Sequence, residues 1–340
     1  MNLNDPHVGI SILVSLGPVL LFLLALFLLD SFRLVRPRSL VGAMAMGVVA
    51  GFVSYVVNTS LMEVFRLPVM TFAIFVAPVV EETAKEAYLA WLLQTRRAGF
   101  LVDAAILGFA AGSGFALTEN LFYLKNLGGA PLFVWIIRGF GTAIMHGGAS
   151  ALFAIIARAL IQDRALTDPR VWGPGLLAAI GVHMLFNRML SHPVTATVTI
   201  LVVVTGLMVV VYRVGEKRLR IWLGQGFDRD TELLALINEG RVRETPLGLY
   251  LLSLRNTFRP DTVADMLCLL RLQVELSIRA KGTLVLREQG LQPAPDPELP
   301  AKLEELRHLD AAIGKTGRLA LRPVCPWTGP DRWQRHLIEE

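Results

Sequence analysis

The sequence predicts an all-α, polytopic membrane helix bundle of about seven spans, followed by a cytosolic helical module. Three observations predict it. Of 340 residues, 54% are hydrophobic and only 18% charged, against about 25% charged in soluble domains. Apolar runs of roughly 19–27 residues recur before residue 213, and a helix needs about 20 to cross a bilayer. The basic residues gather in alternate loops, the signature of membrane orientation. The net charge of +5 is modest and gives no reason to expect a nucleic-acid partner. The expected domains are therefore 1–212 in the membrane and 213–340 in the cytosol.

The first span, about 8–29, is aliphatic and aromatic and ends at Asp30. No Lys or Arg precedes it, unlike the start of a cleaved signal peptide. The second, about 40–57, carries Gly47 and Gly51 at a spacing that lets helices approach closely. The third, 69–93, is long enough to span but holds Glu81, Glu82, Lys85 and Glu86 in its middle. Pro78 lies one turn before Glu81 and removes a backbone hydrogen bond, so a carbonyl near the acids should be freed. The fourth, about 103–123, carries Phe115, Glu119 and Asn120, and the fifth, about 131–157, Arg138 and His146. The sixth, about 172–190, holds His183 and Asn187, and the seventh, about 194–212, is uniformly apolar.

Loops after spans one, three, five and seven carry Arg33, Arg36 and Arg38; Arg96 and Arg97; Arg158, Arg164 and Arg170; and Arg213, Lys217, Arg218 and Arg220. Those after spans two and four hold only Arg66 and Lys125, and the one after span six holds none. This places the N-terminus outside and the C-terminus in the cytosol. Beyond 213, segments such as TVADMLCLLRLQVELSIRA read as amphipathic helices. A Pro-rich break at LQPAPDPELP precedes a helix over about 300–313 and a tail with Trp327 and Trp333. Cys268 and Cys325 lack metal-ligand spacing and read as unrelated reduced thiols.

Charged side chains at the centre of a span cost about 2.5–3.5 kcal/mol each on insertion scales. The acids of the third span must therefore face protein, water or a metal, and such a cluster marks a functional site. Glu81 and Lys85, four residues apart, share a helix face and could pair. Glu81, Glu82, His146 and His183 sit near mid-span, with Glu119 and Asn120 nearer the outer end. Two chemistries suit carboxylates and imidazoles in a wet cavity. A carboxylate can act as general base on water while a His or Asn holds the oxyanion. Alternatively, two His and one Glu can ligate zinc and acidify its water. Both lead to amide hydrolysis. A proton-coupled transporter or membrane sensor, or a non-catalytic scaffold, would use the same polar groups differently.

EETAK at 81–85, FALTEN at 115–120, His146 after Arg138, and HMLFN at 183–187 together resemble the PrsW family of intramembrane proteases. Its pattern is EExxK, FxxxEN, a His in a following span, and HxxxN. The CAAX-protease and bacteriocin-processing group, with EExxxR, is distantly similar. The resemblance covers about 70–190, in order, one motif per span. It implies hydrolysis of a membrane-anchored protein substrate within or beside the lipid bilayer, in a multi-pass protein of a bacterial plasma membrane. Glu81 or Glu82 would activate water, within a catalytic set that includes Glu119. His146 and His183 would be metal ligands or oxyanion stabilisers, and Asn187 a supporting donor. Lys85, Asn120 and Arg138 would support the site. The implied metal set is His146, His183 and Glu82, around a divalent ion such as zinc.

Overall fold

The computed structural model describes residues 6–95, 98–127, 129–161, 166–291, 294 and 296–324. Arg96, Arg97, Arg164, Cys325, Trp327 and Trp333 lie outside the described residues. The described chain is helical. Helix α1 is Pro6–Leu28, α2 Pro37–Phe65 and α4 Leu101–Asn126. Between the last two, α3 starts as Val69–Thr71, passes through a π-helical turn, Phe72–Val76, and continues as Ala77–Gln94. Helix α5 likewise joins Leu132–Ile136, a π-helical turn Ile137–Thr142, and Ala143–Ile161. Helix α6 is Pro169–Met189 and α7 Pro193–Asn238.

Every expected span has a helix within a few residues of its predicted start. Helix α2 runs on to Phe65 and α7 to Asn238, well past the apolar stretches that announced them. Five stretches are long and apolar enough to cross a membrane: Gly9–Leu28, Pro37–Phe65, Leu101–Asn126, Leu132–Ile161 and Pro193–Asn238. The chain is an integral membrane protein. Helices α3 and α6, the other two expected spans, fall outside that set and bear Glu81, Glu82, Lys85, Glu86 and His183. Arg158, expected in a loop, lies inside α5, where it is buried and donates to the Gly99 carbonyl.

Two compact units divide the chain, Met1–Glu216 and Lys217–Glu340. In the first, α4 is the central helix, 83% buried over its apolar window, and packs against α2 and α5. Glycine makes both approaches possible. A Cβ on Gly47 of α2 would lie 1.9 Å from the Ala111 carbonyl oxygen, and one on Gly112 of α4 2.2 Å from that of His146. Both neighbours are backbone, so no rotamer change relieves the clash. The other approaches on that side, Gly108 against Ser150 and Ala151, run in reversed order. Helices α4 and α5 are therefore antiparallel.

The second unit contains a 3₁₀ turn, Arg241–Glu244, then α8 Pro246–Ser253, a 3₁₀ turn Leu254–Asn256, α9 Pro260–Glu288 and α10 Leu299–Leu321. Met266, Leu270 and Leu276 of α9 and Leu306, Leu309 and Ile313 of α10 form its core. Helix α10 outruns the expected 300–313 because it resumes after a kink at Gly314, whose φ is 65°. Asp230 at the end of α7 is buried with Lys281 of α9: Lys281 donates to it at 2.6 Å and to the Gly226 carbonyl at 2.8 Å, and Ser277 donates to it at 2.6 Å. Cys268 is exposed and free.

Overpacking a well-fitted contact costs about 1–3 kcal/mol. Gly47→Ala and Gly112→Ala should each lower the thermal midpoint of the solubilised protein. Gly206→Ala is the control, because a Cβ there meets nothing within 4 Å, and it should leave the midpoint unchanged or slightly raised, since Ala is the better helix former.

Candidate active site in the membrane bundle

The site begins with a defect in α3. In the π-helical turn the Ala77 N–H reaches back to the Phe72 oxygen. Residue 78 is proline and has no N–H. The Ala73 carbonyl, which either of these residues would otherwise serve, is left without a helical donor. Asn187 of α6 donates its side-chain amide to it at 2.9 Å. The carbonyl expected to be freed by Pro78 is thus Ala73, and it ties α6 to α3. This bond also commits the Asn187 donor.

Four residues later the acids diverge. Glu82 has no exposed side-chain surface. Lys85 donates to it at 2.8 Å, and His183 Nδ1 lies 2.6 Å from its Oε1. The Lys85 partner is Glu82 at i,i+3, not Glu81 as spacing suggested: an i,i+4 pair and an i,i+3 pair are both in reach on a helix, and Glu81 turns to other neighbours. Its Oε1 accepts from Asn58 of α2 at 3.1 Å, and its Oε2 is 3.8 Å from His183 Nε2. Glu86 is buried too; its carboxyl faces Glu82 and the Ser150 hydroxyl without closing a well-formed hydrogen bond to either.

Helices α4 and α5 supply the other wall. His146 Nε2 lies 2.9 Å from Glu119 Oε2, and its Nδ1 lies 3.3 Å from Lys85 Nζ. An ammonium can only donate, so Nδ1 accepts and Nε2–H donates to Glu119. The two imidazole rings meet edge to face, with centroids 4.8 Å apart, and the Phe115 ring is 4.8 Å from that of His146. Lys85 Nζ also lies over the Phe115 ring. Arg138, within the π-helical turn of α5, sits 3.2 Å from Glu119, donates to Asn120 at 2.8 Å, and stacks on Tyr123 at 3.8 Å. Asn120 in turn donates to the Ser15 carbonyl at 2.7 Å. The first span, read from the sequence as aliphatic and aromatic, therefore anchors the site through its backbone.

Glu119 lies about two turns beyond Gly112, the residue level with the His146 backbone, yet it reaches the imidazole. Side chains lean toward the N-terminus of their own helix. On antiparallel α4 and α5 the two therefore lean toward each other, which closes the offset that span position implied.

The structure brings together Glu81, Glu82, Lys85, Glu119, Asn120, Arg138, His146, His183 and Asn187. Its donors include a set that could hold a metal ion. Glu81, His146 and His183 each offer an atom within 4.8 Å of the others. Glu82 is instead occupied by Lys85 and by His183 Nδ1. That second bond turns the His183 Nε2 lone pair toward Glu81, the carboxylate–histidine arrangement that orients metal-ligating imidazoles. Donor type and spacing fit a divalent ion. For His146 to ligate it, the Lys85 contact must be released.

A family model, PrsW family intramembrane metalloprotease, matches residues 36–213. That is just over half of the chain, and the chain belongs to this family of intramembrane proteases. No curated protein and no solved structure gives a significant match.

Sequence reasoning missed Asn58, the Ser15 carbonyl and both π-helical turns. The signals were there in part: Asn58 continues the Gly47, Gly51, Ser54 stripe of α2, and Gly139 and Gly141 lie in the second π-helical turn. Replacing Asn187 by Leu leaves the Ala73 carbonyl without a donor, at a cost of about 1–3 kcal/mol. The thermal midpoint should fall accordingly, and an unchanged midpoint would show that the bond carries no load.

Proposed function

We propose that this chain hydrolyses a peptide bond of a membrane-anchored protein where the polar side chains of α3, α4, α5 and α6 meet, with Glu81 as the carboxylate at the reacting centre. The observation that supports this is the contrast between the adjacent acids. Glu82 is fully enclosed and doubly bonded, whereas the Glu81 side chain keeps 15% of its surface and faces His183 Nε2. Helices α3 and α6 also cross the bilayer in this reading, giving seven spans with the N-terminus outside and the C-terminal unit in the cytosol of a bacterium.

Glu81, His146 and His183 are the residues that would hold a divalent cation such as zinc. When bound, zinc lowers the pKa of its water to about 7 and polarises a carbonyl. The protein groups have their own tasks. Glu82 holds the His183 tautomer and stabilises positive charge that develops on that ring. Glu119, clamped by Arg138 and Asn120, fixes His146. Lys85 counters Glu82 and so lets the adjacent Glu81 stay near a second carboxylate. Where no cation is held, Glu81 itself takes the proton of the attacking water and returns it to the leaving amine. In that case His183 carries a proton on both ring nitrogens, with Nδ1–H held by Glu82, and donates from Nε2 to the oxygen that gains charge. Family membership favours hydrolysis over a proton-coupled transporter or sensor built on the same acids.

With a membrane-anchored reporter in proteoliposomes, Glu81→Gln should lower kcat by about 10²–10⁴-fold, with insertion and melting retained. Full activity in this variant overturns the assignment. A strong chelator separates the two roles of Glu81: activity lost and restored by zinc makes it a ligand, and activity persisting in metal-stripped protein makes it the base.

A further inference from the structure

The second span was read as packing alone, and its only described side-chain link to the ionisable cluster is Asn58. The buried residues of α2, Ala43, Gly47, Ala50, Gly51 and Ser54, form the stripe that faces α4 and α3. Asn58 lies on the same stripe one turn beyond Ser54. Its neighbours Thr59 and Ser60 return their hydroxyls to their own helix, to the Tyr55 and Val56 carbonyls. Asn58 does not. Its Nδ2 donates to Glu81 Oε1 at 3.1 Å, while its buried Oδ1 has no hydrogen-bond partner among the described residues.

That asymmetry identifies which end is in use. The amide orientation follows from the carboxylate, which accepts and does not donate when ionised. With Oε1 bound by Asn58, Glu81 can rotate only within the limits of that bond, and Oε2 is the oxygen left facing His183 Nε2. An aspartate or glutamate without such a tether spreads over several rotamers, and each must be given up before it can ligate or take a proton.

We propose that Asn58 is a positioning residue for Glu81: it binds one carboxylate oxygen so that the other is presented to His183 and the reacting centre. The proposal rests on the hydrolytic reading above and adds α2 to the machinery of the site. It applies whether Glu81 ligates a cation or activates water, because both need the same oxygen aimed the same way.

The experiment is a double-substitution cycle in the full-length protein, with Asn58→Leu, Glu81→Gln and the pair, read by zinc affinity, by kcat on the membrane-anchored reporter, and by melting of metal-free protein. Partners that orient a ligand typically contribute 10–100-fold in metal affinity or activity. Asn58→Leu should lose that much in an otherwise native chain and nothing further in the Glu81→Gln background. Its metal-free melting should stay close to wild type, and Asn58→Gln, which keeps the amide donor, should recover part of the loss. Wild-type affinity and kcat in Asn58→Leu overturn the proposal. So does an equal loss with and without Glu81, since the effect would then not pass through that carboxylate. If the wild-type chain cleaves but binds no zinc, the cation role falls and the kcat cycle alone decides Asn58. If it neither binds zinc nor cleaves, the hydrolytic reading fails and Asn58 has no reaction to position.

Discussion

A carboxylate with no exposed surface sits at the middle of this bundle, and the structure is arranged to make that possible. Taking an ionised Glu82 out of water costs several kcal/mol even after relaxation. Two partners offset it: Lys85 from the same helix and His183 from another. The first holds the charge locally. The second couples the rotation of α3 to that of α6, because the 2.6 Å contact exists at only one setting of the two helices. The Asn187 bond to Ala73 enforces the same setting one turn away on α6. With α3 and α6 locked, Glu81 is the one of the two adjacent acids that keeps exposed surface and faces His183 Nε2.

The remaining polar residues form a second, parallel device. Ser15, Asn120, Arg138, Glu119 and His146 make a chain of bonds from α1 through α4 to α5. Lys85 joins the two devices, since its ammonium meets both Glu82 and His146 Nδ1. It is the cation that stands where a metal-bound state would need His146 released. Were a cation held there, its binding and the position of one lysine would be linked. The second unit solves a similar problem on a smaller scale, where Lys281 and Ser277 satisfy the buried Asp230 and the Gly226 carbonyl takes a further bond from Lys281.

Much of this was legible in the chain. Hydropathy placed the helix starts, because a spanning helix has a length set by the bilayer. The order of EETAK, FALTEN and HMLFN pointed to one site on several helices, since each charged group needs a protein partner inside a membrane. Pro78 announced a freed carbonyl, and one was found at Ala73. What could not be read was pairing across helices. Spacing alone allowed Lys85 either glutamate, and the choice of Glu82 depends on where α6 delivers His183. Depth within a span set Glu119 apart from the mid-span groups it joins, because the lean of side chains on antiparallel helices adds to backbone position. The π-helical turns shift register by a residue without altering composition, so no periodicity reveals them. Asn58 was hidden by its setting, a single amide on a stripe of small residues that explained itself as packing.

The central claim is that the acid of one helix and the imidazole of another are in contact. The coupling energy between Glu82 and His183 measures this most directly, from the unfolding stabilities of Glu82→Gln, His183→Leu and the double variant in a lipid-like solvent. Hydrogen bonds to charged groups are worth about 1.5–3 kcal/mol, and the two substitutions should fall short of additivity by an amount of that order. Additivity to within about 0.3–0.5 kcal/mol, the behaviour of distant independent sites, would contradict the account.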